Sequence, residues 1–156
     1  MSDDHTFHTT LRWPADPAQE KPPTATFSRN GILGSPGHPD IVGGSPPVFG
    51  GVPDRYNPEE LMTLSLSECH MLTFLSLAAK KQVAVLAYED RATGRLGKGP
   101  SGKMQMEHVM LRPKVTVAKG TDLAMVNAMH EKAHAYCFMA NSVNFPVENA
   151  PEALEG

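Results

Sequence analysis

The stretch that decides the fold runs from residue 57 to residue 81 and reads NPEELMTLSLSECHMLTFLSLAAKK. Asn57 is a good N-cap, Pro58 suits the first helical position, and the two glutamates that follow favour the positive end of a helix dipole. Glu60 also stands three residues after the cap, in a capping-box position. The stretch therefore predicts one long helix. Because its apolar residues cover nearly the whole circumference, we expect it to be buried on most sides, with Cys69 in its middle.

The segment before this helix reads as extended chain and loop. Residues 5–13 alternate as a strand does, and residues 24–33 read as a second strand that could form a hairpin with the first. Nine of the 14 prolines and seven of the 13 glycines precede Asp54, and residues 34–53 cannot form a helix. This stretch is either a surface loop or an arm that crosses to a partner subunit, and the sequence leaves both open.

The segment after the long helix predicts two strand regions, a second helix and a closing strand. The predicted elements are a strand at residues 83–90, a turn at 94–103, a strand region at 104–118 broken by Pro113, a helix capped by Thr121 or Asp122 and running to about Asn141, and a strand at 143–148. The order ββ-loop-α-ββ-α-β predicts an α+β fold.

The composition bounds the class of protein. The chain has 156 residues, which suits one domain, with residues 1–23 as an N-terminal strand and proline-rich connection before residues 24–156. Apolar residues make up 40% and charged residues 20%, which excludes an acidic disordered chain. A net charge of −3 lacks the basic excess of a nucleic-acid-binding protein. With no apolar run long enough for a bilayer and no signal peptide, we expect a cytoplasmic protein that does not bind membranes.

Two short motifs match known functional patterns. Residues 97–103, GKGPSGK, fit the first seven positions of a P-loop, but Met104 replaces the hydroxyl that holds Mg²⁺, and a strand follows, so a hairpin turn is favoured. Residues His130 and His134 belong to an H-E-x-x-H pattern, and with Cys137 they fall on one helix face. A zinc site at His130, His134 and Cys137 is therefore an alternative, although apolar neighbours speak against an open polar cleft.

The chain has two cysteines, Cys69 and Cys137, and each is expected in the middle of one of two helices. A free cysteine often only fills space in a core. Two helices must pack together in a domain this small, however, and two thiols brought together in a cytoplasmic protein are more often catalytic or redox-sensing than structural.

The residues around these cysteines resemble the OsmC/Ohr family of thiol peroxidases. Residues 57–61, NPEEL, and 65–72, SLSECHML, resemble the helix that carries the first cysteine of the family. Residues 130–134, HEKAH, and 137–142, CFMANS, resemble the helix that carries the second cysteine in an OsmC-like branch. Arg29 stands where the family has an arginine on its second strand.

The resemblance covers roughly residues 24–148 and implies that residues 24–156 form an OsmC-like domain. The implied fold has antiparallel sheets wrapped around two central helices in an intertwined homodimer. The implied activity is that of an antioxidant peroxidase of the oxidative stress response, which reduces organic hydroperoxides and needs no metal or organic cofactor. A dithiol reductant, whose identity the sequence does not give, would restore the enzyme.

Four residues receive roles from the resemblance. Cys69 would attack the peroxide and become a sulfenic acid, and Cys137 would resolve it as a disulfide. Arg29 and Glu59 would organise the thiolate, since a fixed cation favours an ionised thiol and a carboxylate holds a guanidinium in place. Glu68, directly before Cys69, must point away from that sulfur if a thiolate is to form there.

Glu59 and Cys69 are ten residues apart on one predicted helix, which places them roughly 15 Å apart along its axis and about 80° apart around it. A straight helix cannot bring its own Glu59 to its own thiol. If this glutamate serves the site, it comes from the partner's helix or acts through Arg29. The alternative from another class is a non-catalytic stress protein that binds a small apolar ligand.

Overall fold

The structure is a computed structural model that describes residues 5–16, 18 and 27–156. It divides into two compact units, Met1–Pro58 and Glu59–Gly156. The predicted boundary between residues 23 and 24 lies outside the described residues, so the division of the chain at that point stays a prediction.

The described residues form two α-helices, nine strands and two short 3-10 turns. Their bounds are β1 Thr10–Arg12, β2 Gly31–Gly34, β3 Ile41–Gly43, a turn at Pro47–Phe49, α1 Pro58–Lys80, β4 Val85–Asp90, β5 Thr93–Lys98, β6 Met104–Leu111, β7 Pro113–Val117, α2 Leu123–Tyr136, a turn at Ala140–Ser142, β8 Val147–Asn149 and β9 Glu152–Glu155. This is an α+β chain, as the sequence predicts.

The first unit is built on a three-stranded antiparallel sheet in the order β1-β2-β3. Leu33 of β2 pairs with Leu11 on one side and with Ile41 on the other, so the predicted hairpin of the first two strands is confirmed. Residues 34–53, for which the sequence leaves a surface loop and a crossing arm both open, also contain a strand that was not predicted. The β-branched pair Ile41 and Val42 supplies a short third strand between the prolines and glycines.

Helix α1 begins at Pro58 and ends at Lys80, within one residue of the prediction. Its buried residues are four apart and form a single stripe: Leu66, His70, Phe74 and Ala78. The expectation that α1 is buried on most sides is wrong for a single chain, because Met62, Leu64 and Leu72 are 40–54% exposed. These apolar side chains lie outside the stripe that faces the core.

By length and composition alone, α1 is apolar enough to cross a membrane. Its surroundings are those of a core helix, because its buried stripe packs on strands and on α2. It also carries Glu68 on an exposed position and a histidine inside the stripe.

Two three-stranded sheets complete the second unit, in the orders β4-β7-β9 and β5-β6-β8. The strands β4 and β7 pair antiparallel, as do β5 and β6, whereas β8 and β9 each add to their sheet in parallel. Each of these two sheets therefore combines one antiparallel and one parallel pair, within the α+β fold that the sequence predicts. The strand β9 and most of β5 were not predicted, because β9 follows Pro151 directly and β5 carries two glycines.

Residues 97–103 form the hairpin between β5 and β6, as the sequence predicts. The Gly99 N–H donates to the carbonyl of Lys103, and the Gly102 N–H donates to the carbonyl of Gly99. Gly102 has a φ of 76°, in the left-handed region that glycine adopts without strain. The turn leads into β6 rather than into a helix, so it lacks the helix N-terminus of a P-loop.

Two apolar clusters pack on α1 at different positions along its axis. Leu66 packs with Val109 and Leu111 of β6 and with Val147 of β8. Phe74 and Ala78 belong to a second cluster, whose other buried members are Val115, Val117, Val126, Met129, Ala133 and Ala153. Helix α1 therefore joins both sheets, and its middle turn lies between the two clusters.

Helix α2 starts where the sequence predicts and ends earlier. The Asp122 carboxylate caps it by accepting hydrogen bonds from the N–H groups of Ala124 and Met125. The helix ends at Tyr136 instead of Asn141, because Cys137 has an extended backbone with a ψ of 111°. Cys137 therefore lies at the C-cap and not in the middle of a helix, which corrects the prediction.

Candidate active site

The two cysteines of the chain meet in the second unit. Cys69 lies midway along α1 and is half-buried, whereas Cys137, at the end of α2, is 1% exposed. Their side chains are joined by a hydrogen bond. Burial, and to a smaller extent this hydrogen bond, raises the pKa of Cys137 to about 11. At neutral pH, Cys137 is therefore a protonated thiol that faces the sulfur of Cys69.

Backbone amides of the turn after α2 point at both sulfur atoms. The Met139 N–H donates to Cys69 Sγ and the Ala140 N–H donates to Cys137 Sγ, each over 3.5 Å between nitrogen and sulfur. This geometry follows from the early end of α2, because the chain turns back over the thiols instead of continuing as a helix. Each amide stabilises negative charge on the sulfur that it faces.

The two glutamates near the start and middle of α1 differ in their surroundings. Glu68 is exposed whereas Cys69 is partly buried, so the carboxylate and the thiol lie in different environments on the helix surface. Glu59 has a buried Oε2 atom that lacks a hydrogen-bond partner among the described residues. A buried carboxylate oxygen without a partner costs free energy, so this position is suited to receive a donor.

Arg29, the remaining predicted site residue, belongs to the first unit, just before β2. It is exposed, and its guanidinium lies 4.8 Å from the centre of the Phe27 ring. The structure brings Cys69 and Cys137 together, and it places Glu59 ten residues before Cys69 on α1. The roles predicted for all four residues stay predictions.

A buried pair of histidines joins the two helices that carry the cysteines. His70 Nε2 and His130 Nδ1 are 2.9 Å apart, and both residues are 0% exposed. The ring planes lie 8° apart with centroids separated by 5.2 Å, as expected for nearly coplanar rings joined edge to edge by a hydrogen bond. His70 therefore lies in the core of the second unit and not on its surface.

The histidine pair is uncharged at neutral pH. Burial in the protein interior, together with neighbouring histidines, lowers the pKa of both His70 and His130 to about 4. The outer nitrogens of the pair, His70 Nδ1 and His130 Nε2, are buried without a partner among the described residues. Each neutral ring carries one N–H, so one of the two N–H groups makes the mutual hydrogen bond, and the other lies on an outer nitrogen that has no partner among the described residues.

The last residues of β4 face the same region. Asp90 accepts a hydrogen bond of 2.5 Å from the Ser67 hydroxyl on α1 and another of 2.6 Å from the Arg112 N–H. Its charge acts on His70, whose pKa it raises slightly against the larger effect of burial. Burial, and then Asp90, raises the pKa of Tyr88 well above its usual value. The carboxylate of Asp90 thus anchors β4 to α1 beside the histidines.

The H-E-x-x-H pattern serves packing in this fold. His130 bonds to His70, and the sulfur of Cys137 faces Cys69, so the two side chains are directed at α1. Among the described residues, no three histidine, cysteine or acidic side chains converge on a position that could hold a metal ion. The zinc alternative at His130, His134 and Cys137 therefore has no support in the geometry.

The chain is similar in sequence and fold to known proteins. A family model of OsmC-like proteins matches residues 51–150 of this chain. The chain belongs to the OsmC-like protein family. The matched residues contain both cysteines, both buried histidines and Glu59, whereas Arg29 lies outside them.

Solved structures of OsmC-like proteins share the fold over nearly their whole length. An OsmC-like protein of unknown function from Vibrio cholerae is 33% identical, with a TM-score of 0.84, and the match covers 95% of this chain and 99% of that one. An organic hydroperoxide resistance protein from Elizabethkingia anophelis is 20% identical over the full length of both chains, with a TM-score of 0.73. The organic hydroperoxide resistance protein OhrB of Bacillus subtilis is 19% identical over 96% of this chain and 98% of its own, with a TM-score of 0.65. No protein with a curated description matches the sequence.

Sequence reasoning missed the histidine pair, although two signals for it are present. His70 continues the four-residue spacing of Leu66 and Phe74, which places it on the buried stripe. His130 likewise stands between Val126 and Ala133 on the buried face of α2. A histidine at a core position of each helix indicates that the two rings satisfy one another, since a buried imidazole needs a partner.

The histidine pair predicts that the protein loses stability in mild acid. In the unfolded chain each ring binds a proton near pH 6.5, whereas in the folded protein it does so only near pH 4. Between these values the unfolded chain binds more protons, so the free energy of unfolding should fall as the pH falls from about 6.5 to 4, by up to about 3 kcal/mol per histidine. Urea unfolding at a series of pH values measures this slope.

A double variant, His70→Gln with His130→Asn, provides the matched control. Each amide can occupy the place of the imidazole nitrogen that it replaces, but neither titrates in this range. We expect a flatter dependence of stability on pH in this variant. An equal slope in both proteins would mean that other groups cause the acid sensitivity.

Proposed function

We propose that this protein is a thiol peroxidase that reduces organic hydroperoxides with Cys69 and Cys137. The observation that carries the proposal is the thiol pair itself. Cys69 is half-buried and accessible to small molecules, whereas the buried Cys137 lies beside it as a protonated thiol. This asymmetry suits a sulfur that meets the oxidant and a second sulfur that reacts only with the first.

In the first step, the Cys69 thiolate attacks the outer oxygen of the hydroperoxide. The O–O bond breaks, the alkoxide leaves and takes up a proton as an alcohol, and Cys69 becomes a sulfenic acid. The Met139 N–H, 3.5 Å from Cys69 Sγ, stabilises the thiolate before the attack. The peroxide is reduced by two electrons, and the sulfur is oxidised by two.

In the second step, Cys137 attacks the sulfur of the sulfenic acid. The S–S bond forms, the S–O bond breaks, and the oxygen leaves as water with the proton of the Cys137 thiol. The Ala140 N–H, 3.5 Å from Cys137 Sγ, stabilises the negative charge that develops there. A dithiol reductant then exchanges with the disulfide and restores both thiols, so no metal or organic cofactor takes part.

Two further observations support an organic hydroperoxide as substrate. Phe138, 81% exposed, and Met139, 37% exposed, follow Cys137 in the turn whose amide faces Cys69. Apolar side chains at the approach to the thiol favour a bulky organic group over hydrogen peroxide. The relatives from E. anophelis and B. subtilis are described as organic hydroperoxide resistance proteins, which agrees with this substrate class.

We also propose that the working form is an intertwined homodimer in the cytoplasm. The exposed apolar side chains of α1, Met62, Leu64 and Leu72, are available to a second chain. In the dimer, Arg29 would supply the cation that favours the Cys69 thiolate. Glu59, whose Oε2 has no hydrogen-bond partner among the described residues of its own chain, would hold that guanidinium.

The cysteine variants test the proposed function. Cys69→Ser should abolish consumption of cumene hydroperoxide, because the attacking thiolate is lost. Cys137→Ser should allow one turnover and then leave a sulfenic acid at Cys69, which dimedone traps and mass spectrometry detects. Equal inactivity of the two variants would contradict the assigned roles. Thiols of the wild-type protein that stay inert would favour a non-catalytic ligand-binding protein instead.

An arginine variant tests the cation. Arg29→Met should slow the reaction of Cys69 with iodoacetamide at pH 7 by roughly tenfold, since a neighbouring cation favours the ionised form by about this factor or more. Arg91→Met serves as the matched control, because the side chain of Arg91 is 83% exposed and pairs with Glu89. If both variants react as fast as the wild-type protein, Arg29 has no part in the site.

Mixing two inactive chains tests whether the site needs two subunits. A Glu59→Gln chain and a Cys69→Ser chain are mixed under conditions in which subunits exchange. If Glu59 serves the partner's thiol, each heterodimer has one site without either group and one site with both. Peroxidase activity should then reappear on mixing. The absence of recovery in chains shown to exchange would place both groups of a site in the same chain.

A further inference from the structure

We propose that the hydrogen bond between His70 and His130 positions the two cysteines for disulfide formation. The histidines are positioning residues, which act through the helices that carry the thiols. This role rests on the proposed function, because it concerns the second of its two steps. The two histidines are additional to the four residues to which the proposed chemistry assigns roles.

The positions of the histidines along the helices link their hydrogen bond to the distance between the two sulfur atoms. His70 directly follows Cys69 on α1. His130 lies seven residues before Cys137, which is two turns of α2 or about 10 Å along its axis. A shift or rotation of α2 at the histidine pair therefore moves the Cys137 sulfur relative to Cys69.

Helix α1 holds the His130 ring from two directions. His70 meets its edge through the 2.9 Å hydrogen bond, and Phe74 lies against its face with centroids 4.2 Å apart and planes 14° apart. His70 and Phe74 are one turn apart on the buried stripe of α1. Packing against a face still allows sliding, whereas a hydrogen bond fixes the distance and the direction between two atoms. Together the two contacts fix the position of α2 along its own axis and its rotation about that axis, both relative to α1.

The pair can make this bond because both rings are neutral. Each neutral imidazole has one donor and one acceptor nitrogen, so one ring donates and the other accepts. The charged and titratable groups that face the pair are His134 on α2 and Asp90 and Tyr88 on β4. Burial outweighs the attraction of Asp90, so His70 stays uncharged at neutral pH.

The two steps of the reaction depend on the helix contact to different extents. Oxidation of Cys69 by the peroxide involves one sulfur and one helix. Disulfide formation, Cys69–SOH and Cys137–SH giving Cys69–S–S–Cys137 and water, needs the second sulfur in line with the S–O bond. Loss of the histidine bond should therefore slow the second step and leave the first nearly unchanged.

The experiment compares His130→Phe with His130→Asn. Phenylalanine keeps an aromatic ring for Phe74 but cannot make the hydrogen bond, whereas the asparagine amide reaches the position of Nδ1. In His130→Phe, we expect disulfide formation to slow by roughly tenfold to a hundredfold, as an ångström-scale displacement of a reacting group does, with Cys69 oxidation changed by less than about threefold. Sulfenic acid should accumulate and be trapped by dimedone. His130→Asn should restore disulfide formation to within about threefold of the wild-type rate.

Two controls separate positioning from a general loss of stability. Val109→Ala removes buried volume from β6 in the apolar cluster around Leu66, whereas Phe74, which packs on His130, belongs to the other cluster, so this variant should not cause sulfenic acid to accumulate. The pair His70→Leu and His70→Gln repeats the comparison from α1, in case His130→Phe does not fold. A wild-type rate of disulfide formation in His130→Phe, a failure of the asparagine to rescue it, or an equal effect of Val109→Ala would each overturn the positioning role.

A second oxidant keeps this result separate from the proposed function. Diamide takes two electrons and two protons from a pair of thiols, first as an adduct on one sulfur and then by attack of the other. Its second step needs the same approach of Cys137 to Cys69 without any peroxide. If the wild-type protein reacts with diamide but with no organic hydroperoxide, the proposed function fails. The comparison of the variants with diamide still decides whether the histidine bond positions the thiols.

Discussion

The buried stripe of α1 is the constraint on which the second unit depends. Leu66, Phe74 and Ala78 stand on this stripe and pack into two apolar clusters, one on each sheet. Between them the stripe continues with a polar residue, His70, where an apolar one would be the default. Because a single helix holds both sheets, any residue on its middle turn is fixed from both sides. Cys69 lies on that turn, so its position is fixed by the packing of α1 on both sheets.

Burial shifts the pKa of the thiol and the pKa values of the imidazoles in opposite directions, and both shifts leave the groups uncharged. It raises the pKa of the Cys137 thiol to about 11 and lowers the pKa of the two imidazoles to about 4. An acid with a raised pKa and a base with a lowered pKa are both neutral at pH 7. The Cys137 thiol and both imidazoles are therefore uncharged at neutral pH, and the half-buried Cys69 is the sulfur that also faces solvent. Negative charge is tolerated where the backbone N–H of Met139 points at it.

The sequence predicts the elements with strong local signals and misses those that depend on distant contacts. Asn57 and Pro58 mark the start of α1, and Asp122 marks the start of α2, because caps act within one turn. The end of α2 and the strand β9 have no such local signal. Helix α2 stops where its last residues turn over the thiols, and β9 exists because it pairs with β7. The meeting of Cys69 and Cys137 was predictable from helix packing, whereas the bond between His70 and His130 needed the register of the two helices.

A buried polar pair costs more desolvation free energy than an apolar pair that joins the same two helices. What the polar pair provides in return is a contact with a fixed direction. Two leucines at positions 70 and 130 would bury apolar surface without the desolvation of two imidazoles, whose outer nitrogens have no partner within the described part of the chain. Apolar packing, however, tolerates small shifts along a helix, since it depends on area rather than on direction. The 2.9 Å hydrogen bond allows one register and one rotation. In the proposed mechanism two sulfur atoms on two helices must meet, and that directional contact would give an accuracy of placement that an apolar core of equal stability lacks.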